Sequence, residues 1–341
     1  MGQLHVFFFP MMAHGHMIPT LDIAKLFAAR GVKSTIITTP LNVHYFQKSV
    51  ERTNQLGFEM GIKTIKFPAA AAGLPEGCES VDQITSDDMI PNFFKATTIL
   101  QDPLERILDE VQPDCIVADM FFPWATEAAA KFGIPRLVFH GTSFFALCAS
   151  ENLRLYKPHR EVTSDDESFL VPDLPHQIKL TKMQLPEHER SEFETDFARM
   201  FVRMKESELL SYGVIVNSFY ELETDVGALK WKIRTTSGGV TREQIGKAVR
   251  CVMVGKEAEE MRNRAKEFKE MAKKAVEDVS SGVMREQIGK AVQHVMVGKD
   301  AEEMRNRAKE FKEVTKKAVE EGGSSHTNLN NLIHELSSYQ A

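Results

Sequence analysis

The feature that most constrains this chain is a strand, a helix and a second strand completed within the first 39 residues. Residues 4–9 (LHVFFF) form a continuous apolar run of strand length. The loop PMMAHGHMIP follows. Leu21, Ile23, Ala24, Leu26, Phe27 and Ala28 then recur at helical spacing, and Gly31 ends the helix. Residues 33–39 (KSTIITT) read as a second strand. Two strands joined through a helix run parallel, and a parallel sheet must be covered on both faces.

The alternation continues. The pattern predicts strands over 62–67, 115–118, 136–140 and 214–218. It predicts helices over 91–111, 124–132, 143–156 and 191–211, the last charged and amphipathic. Residues 157–190 are rich in Pro and Asp and read as a surface excursion. The expected fold is a doubly wound parallel α/β sheet over residues 1–223.

Near residue 224 the chain changes character. Residues 1–223 carry 20 Lys+Arg against 30 Asp+Glu, and residues 224–341 carry 22 against 18, so the net charge changes from −10 to +4. Strand signals stop, and KWKIRTTSGGV reads as part of a junction over 224–240. The sequence then repeats itself: 241–277 recurs as 284–320, and over 242–277 only positions 250, 251, 257, 271 and 272 differ. Each copy reads as a short helix, a VGK turn and a long helix. The long helix of the first copy has an apolar stripe at Ala258, Met261, Ala265, Phe268, Ala272 and Ala275. Two copies are too few for a solenoid, and identity this high exceeds what packing demands, as after a recent duplication. A mostly α-helical tail over 241–341 is expected.

Composition narrows the function. At roughly 150 residues per domain, 341 residues make about two domains. The net charge of −6 argues against a dedicated nucleic-acid binder. No apolar run is long enough to span a membrane. Cys78, Cys115, Cys148 and Cys251 are scattered without metal-site or disulfide spacing. The opening MGQLHVFFFP lacks a basic region and reads as a buried strand, not a leader. A reducing cytoplasm is the expected compartment, and no metal or cofactor site is expected.

Ligands of open α/β sheets sit outside the carboxyl ends of the strands. Two polar residues fall there: His16, after the first strand, and Asp119, directly after CIVA. The positive end of a helix disfavours imidazolium, so His16 is expected to stay neutral and able to accept a proton. A carboxylate on its other ring nitrogen would fix the tautomer. With no side-chain nucleophile in view, such a pair would activate an external hydroxyl. On spacing alone a histidine at a helix start is more often a cap, and an aspartate after a strand is often the cap of the next helix. His14 reads as structural. Phe93, Phe94, Phe121, Phe122, Phe144 and Phe145 lie near the same edge; aromatics there are more often core than pocket, yet some would line an apolar acceptor site.

Three blocks carry a resemblance. HVFFFPMMAHGHMIPTLDIAKLFAARGVKSTIITTPLN, PDCIVADMFFPWATEAAAKFGIPRLVFHGTSFF and GVIVNSFYELE closely resemble the first half of plant UDP-glycosyltransferases acting on small molecules, in particular the flavonoid and triterpenoid glucosyltransferases. The resemblance covers nearly all of 1–223. It implies a GT-B fold, with a Rossmann-like acceptor-binding domain facing a second domain that holds the UDP-sugar, UDP-glucose above all. The family's catalytic histidine in G-H-x-x-P maps onto His16, and its partner aspartate onto Asp119. The histidine takes the proton of an acceptor hydroxyl, whose oxygen attacks the anomeric carbon with inversion. Phe93, Phe121, Phe122, Phe144 and Phe145 then become candidates for holding a small apolar acceptor.

The family's donor-binding box, from W-A-P-Q through H-C-G-W-N-S, does not occur; the two tryptophans, Trp124 and Trp231, stand in other contexts. VGALKW and the final stretch resemble family sequence beyond that box, so the resemblance implies an internal deletion of most of the donor domain. Three expectations follow: impaired sugar transfer, a non-catalytic acceptor-binding half-enzyme, or an interaction module that self-associates or pairs with a full-length relative.

Overall fold

The structure, a computed structural model, describes residues 2–174, 177–190, 196–223, 249–251 and 301–339. Its centre is a seven-stranded parallel sheet. The strands are β1 (His5–Phe9), β2 (Lys33–Thr38), β3 (Met60–Thr64), β4 (Cys115–Asp119), β5 (Arg136–His140), β8 (Gly213–Val216) and β9 (Val249–Cys251), in the order β3-β2-β1-β4-β5-β8-β9. The chain steps outward from β1 to β2 and β3, then returns to the other side of β1 for β4, β5 and β8. The order therefore reverses between β1 and β4, where Val6 stands opposite Cys115 and Phe9 opposite Ala118.

Strand alternation divides the core between the two faces. Phe7 and Phe9, with Ile37, Ile116 and Ala118, pack against α4 (Met89–Ile99), α5 (Gln101–Val111) and α6 (Ala125–Ala130). Val6 and Phe8, with Ile36, Val117, Leu137 and Phe139, pack against α1 (His14–Ala28) and α2 (Val43–Gln55). Helices on both faces make the sheet doubly wound, as expected.

Local differences have local causes. The helix expected to start near Leu21 begins at His14 and runs through Pro19, forgoing one main-chain bond. The helix expected over 91–111 is two, because Pro103 has no N–H to donate and its ring crowds the carbonyl four residues back, at Ile99, where α4 ends. The third strand lies at 60–64 rather than 62–67; Ile65 and Phe67 leave the sheet but stay in the core. Within 157–190 lies an antiparallel hairpin, β6 (Ser168–Leu170) with β7 (Lys179–Thr181). Two one-turn helices, α3 (Ala69–Ala72) and α8 (Glu187–Arg190), lie in the connections, and the amphipathic helix α9 is Asp196–Leu210.

Beyond residue 224 the expectation that strands stop is corrected by β9, which extends the sheet beside β8. The first copy of the repeat lies almost wholly outside the described residues. The long helix of the second copy is α10 (Ala301–Val319), followed by α11 (Ser324–Tyr339). Gly322 makes the turn between them at φ +83°, a region that favours glycine. α11 buries Leu329, Leu332 and Leu336 in the same core layer as Phe8 and Phe27. Polar contacts pin it: Arg30 Nε donates to Asn330 at 2.6 Å and the Tyr212 hydroxyl to Glu335 at 2.7 Å.

Candidate active site at the reversal of strand order

His16 lies in the first turn of α1 and Asp119 is the last residue of β4, so the two elements flanking the strand-order reversal each bring one residue to the same edge. His16 Nδ1 is 2.7 Å from Asp119 Oδ2. Asp119 is fully buried, whereas His16 keeps a partly exposed ring. The other carboxylate oxygen of Asp119 accepts the Phe121 backbone N–H at 3.1 Å. The carboxylate is thus held at both oxygens, and it holds the imidazole at Nδ1. That leaves Nε2 as the ring atom able to meet a ligand.

The pull of the helix terminus on His16 is not the dominant one. Burial does pull its pKa down, but the hydrogen bond and negative charge of Asp119 outweigh burial and leave it above the ordinary 6.5. A buried carboxylate at contact distance is a larger perturbation than a helix terminus. The pair can take up a proton and stabilise the resulting imidazolium.

The aromatic candidates separate. Phe121 meets the His16 ring edge-on at 5.5 Å between centroids and neighbours Phe94 at 5.6 Å. Phe94 in turn meets Phe197 of α9 at 5.8 Å. These partly buried rings form an apolar rim beside the imidazole. Phe93 and Phe122, also expected near an acceptor, lie fully buried behind that rim: Phe122 stacks on Phe9 at 4.4 Å, and Phe93 packs on Phe67. Phe144 and Phe145 open α7 (Phe144–Tyr156), where their backbone N–H groups donate to the Glu223 carboxylate at 3.1 and 2.9 Å. Phe144 packs with Leu147, Cys148 and Val216. Phe197 had no motif to reveal it beyond its place on an amphipathic helix.

His14 stays outside this site. It pairs with Asp82 at 2.6 Å and meets Tyr45 edge-on, fastening the 80–83 turn to the start of α1. Among the described residues no group of three or more His, Cys, Asp or Glu side chains is arranged to hold a metal. Among the same residues no helix is long and apolar enough to cross a membrane. Cys78, Cys115 and Cys148 are buried free thiols, and burial pushes the Cys148 pKa up to about 12.

The sheet order and its covering helices are those of the Rossmann-like half of a GT-B glycosyltransferase. The crystal structure of Glycyrrhiza uralensis UGT73P12 complexed with glycyrrhetinic acid 3-O-monoglucuronide superposes with a TM-score of 0.77 at 28% identity, covering 99% of this chain and 96% of that one. Phytolacca americana UGT2, solved with UDP-2fluoro-glucose and pterostilbene, shares the fold at a TM-score of 0.64 and 14% identity, with 98% and 99% covered.

Sequence relatives carry the assignment further. Scopoletin glucosyltransferase of Nicotiana tabacum is 62% identical over 225 residues, which is 66% of this chain and 47% of that protein. Anthocyanin 3'-O-beta-glucosyltransferase of Gentiana triflora is 54% identical over 226 residues, again 66% and 47%. No protein-family model matches the chain. The chain belongs with the plant UDP-glycosyltransferases. It spans about half the length of the curated relatives it matches.

Proposed function

We propose that this chain is the acceptor-binding half of an inverting UDP-glycosyltransferase, carrying the proton-accepting pair but little of the donor domain. Residues 1–223 form the acceptor domain, 224–240 the junction and 241–341 the tail, which lends the strand 249–251 to the acceptor domain's sheet and whose described helices are α10 and α11. A small, apolar, hydroxylated plant metabolite sits against Phe121 and its neighbours with its hydroxyl at His16 Nε2. In transfer, His16 takes the hydroxyl proton, the freed oxygen bonds to the anomeric carbon, and UDP leaves with the electrons of the broken C–O bond. Asp119 stabilises the imidazolium. Proximity supplies much of such a rate, and without a held UDP-sugar the single chain binds acceptor but transfers poorly.

The observation that carries this reading is the 2.7 Å His16–Asp119 contact at the strand-order reversal, beside an apolar rim. The test is a pair of titrations into the full chain. Scopoletin, the acceptor in the name of the tobacco relative, is followed by its fluorescence, and UDP-glucose is followed by calorimetry. Saturable scopoletin binding that weakens in Phe121→Ala, with no heat from UDP-glucose, is the expected result. A folded chain that binds neither scopoletin nor a flavonol would overturn the acceptor assignment. Saturable UDP-glucose binding would overturn the loss of the donor site.

A further inference from the structure

Arg136 opens β5, yet its side chain is almost fully buried, and no function assigned above uses it. Burying a guanidinium is costly unless its donors are satisfied. Burial lowers its pKa to about 10, against the pull of the Asp119 and Glu208 carboxylates, so it remains charged at neutral pH. Nη2 donates to the backbone carbonyl of Asp119 at 2.8 Å and lies 3.5 Å from that of Ala118. Nη1 donates to Thr126 Oγ1 at 2.6 Å and reaches Ser207 Oγ at 3.4 Å. Thr126 is also 2.8 Å from Ser211 Oγ.

These contacts join five elements: α9 (Ser207, Ser211), α6 (Thr126), β5 (Arg136), β4 (Asp119) and α1 (His16). The best backbone bond of the guanidinium falls on the residue whose carboxylate holds the imidazole, at the free end of a strand. There the Phe122 backbone N–H also donates to the same carbonyl, at 3.1 Å. A rigid, planar fork suits this task, because it fixes a carbonyl on one arm and a hydroxyl on the other. α9 also supplies Phe197 to the rim beside His16, so one helix touches the acceptor side of the pair and, through Ser207, the back of it.

We propose that Arg136 is a positioning residue: held by Thr126 and Ser207, it fixes the end of β4 so that the Asp119 carboxylate stays on His16 Nδ1. Its catalytic consequence rests on the proton-accepting role proposed for His16; the geometry does not. The alternative is that Arg136 merely fastens α6 and α9 to the sheet.

The test reads the His16 imidazole in the full chain by NMR titration, assigned with His16→Gln. The groups facing the ring are Asp119 from β4 and Phe121 from the turn after it. If Arg136 positions Asp119, Arg136→Lys keeps the charge but loses the fork, and the elevation of the His16 pKa is lost. Thr126→Val, which removes the short Nη1 contact, gives a smaller fall. Arg136→Met gives the largest fall if it folds; if it does not, the two milder variants decide. A charge effect alone would leave His16 unchanged in Arg136→Lys and raise it in Arg136→Met. An unchanged or raised His16 pKa in folded Arg136→Lys and Thr126→Val would overturn the proposal. Because none of these readouts needs acceptor or sugar transfer, its failure is distinct from failure of the acceptor assignment.

Discussion

His140 Nε2 lies 2.8 Å from Glu208 Oε1, with the histidine fully buried and the glutamate 5% exposed. The pair joins the last residue of β5 to α9. Lys205 stands 3.3 Å from the other carboxylate oxygen. α9 therefore meets the sheet through charge as well as through apolar packing, with Arg136 and His140 two strand pitches apart on one face.

Glu208→Gln should lower stability at pH 7 by about 3 kcal/mol, the low end for breaking a buried ion pair, because the amide keeps a hydrogen bond and loses the charge. Burial raises the Glu208 pKa, but the bond from His140 and the nearby positive charges outweigh it and hold the group below its ordinary 4.5. A depressed carboxylate contributes stability above its unfolded value and loses it as pH falls through its folded value. Urea unfolding followed from about pH 5 down through the acid limb below pH 4 should therefore decline less steeply in Glu208→Gln than in the parent. Equal slopes would remove Glu208 from the acid limb.

Asp119→Asn should bring the His16 pKa below 6.5, because burial then acts without the opposing charge. The parent has the reverse sign. A raised histidine contributes stability fully below its unfolded value, about 6.5, and loses it as pH rises through the folded value. Chemical denaturation on either side of that window should show the parent losing more stability toward alkaline pH than Asp119→Asn. Any proton uptake by His16 from an acceptor should likewise grow as pH rises through the same window, since only the neutral ring accepts.

Phe121 and Phe122 are neighbours in sequence with opposite surroundings. Phe122→Ala should cost about 3–5 kcal/mol, the range for removing a buried aromatic side chain, because it unstacks Phe9 and leaves a hole beside Trp124. Phe121→Ala, on a partly exposed ring, should cost less than about 1.5 kcal/mol and instead weaken acceptor binding. Denaturation curves and scopoletin titrations of the two variants, measured side by side, separate a packing role from a binding role.

The His16–Asp119 pair was half legible: alternating strands and helices bring every strand's carboxyl end to one edge, so two residues 103 positions apart could be expected to meet, but spacing alone reads both as helix caps, and the family resemblance singled them out. The aromatic positions were only half legible. Alternation along β1 sends Phe7 and Phe9 to one face, but nothing local says that Phe122 turns inward to stack on Phe9 while Phe121 faces the histidine. Arg136 was hidden for a stronger reason. Within RLVFH it reads as the polar start of an apolar strand, and its partner Ser207 is 71 residues away on a helix that buries the polar Lys205, Ser207 and Glu208 beside Met204. Pro19 misled in the other direction: a residue that commonly breaks helices sits inside α1.

α11 offers the sharpest test of whether the tail is part of the folded unit. Its leucine spacing, 329, 332 and 336, is that of any amphipathic helix, yet those side chains are 1–3% exposed within the layer built on Phe8 and Phe27. Leu332→Ala should cost about 2–5 kcal/mol, the range for truncating a buried leucine. Phe311→Ala on α10, whose ring is 50% exposed, should change stability by no more than about 0.5 kcal/mol. The informative probe is Trp124, read in a Trp231→Phe background and buried on the opposite face of the sheet among Phe9 and Phe122. If α11 folds with the sheet as one cooperative unit, Leu332→Ala lowers the urea midpoint reported by Trp124 as much as the midpoint reported by far-UV circular dichroism. If α11 only rests on a sheet that is stable without it, dichroism shows an early loss of helix while the Trp124 midpoint stays where it was. The second outcome would make the sheet of residues 5–216 the independent folding unit, with the docking of α11 an addition to it.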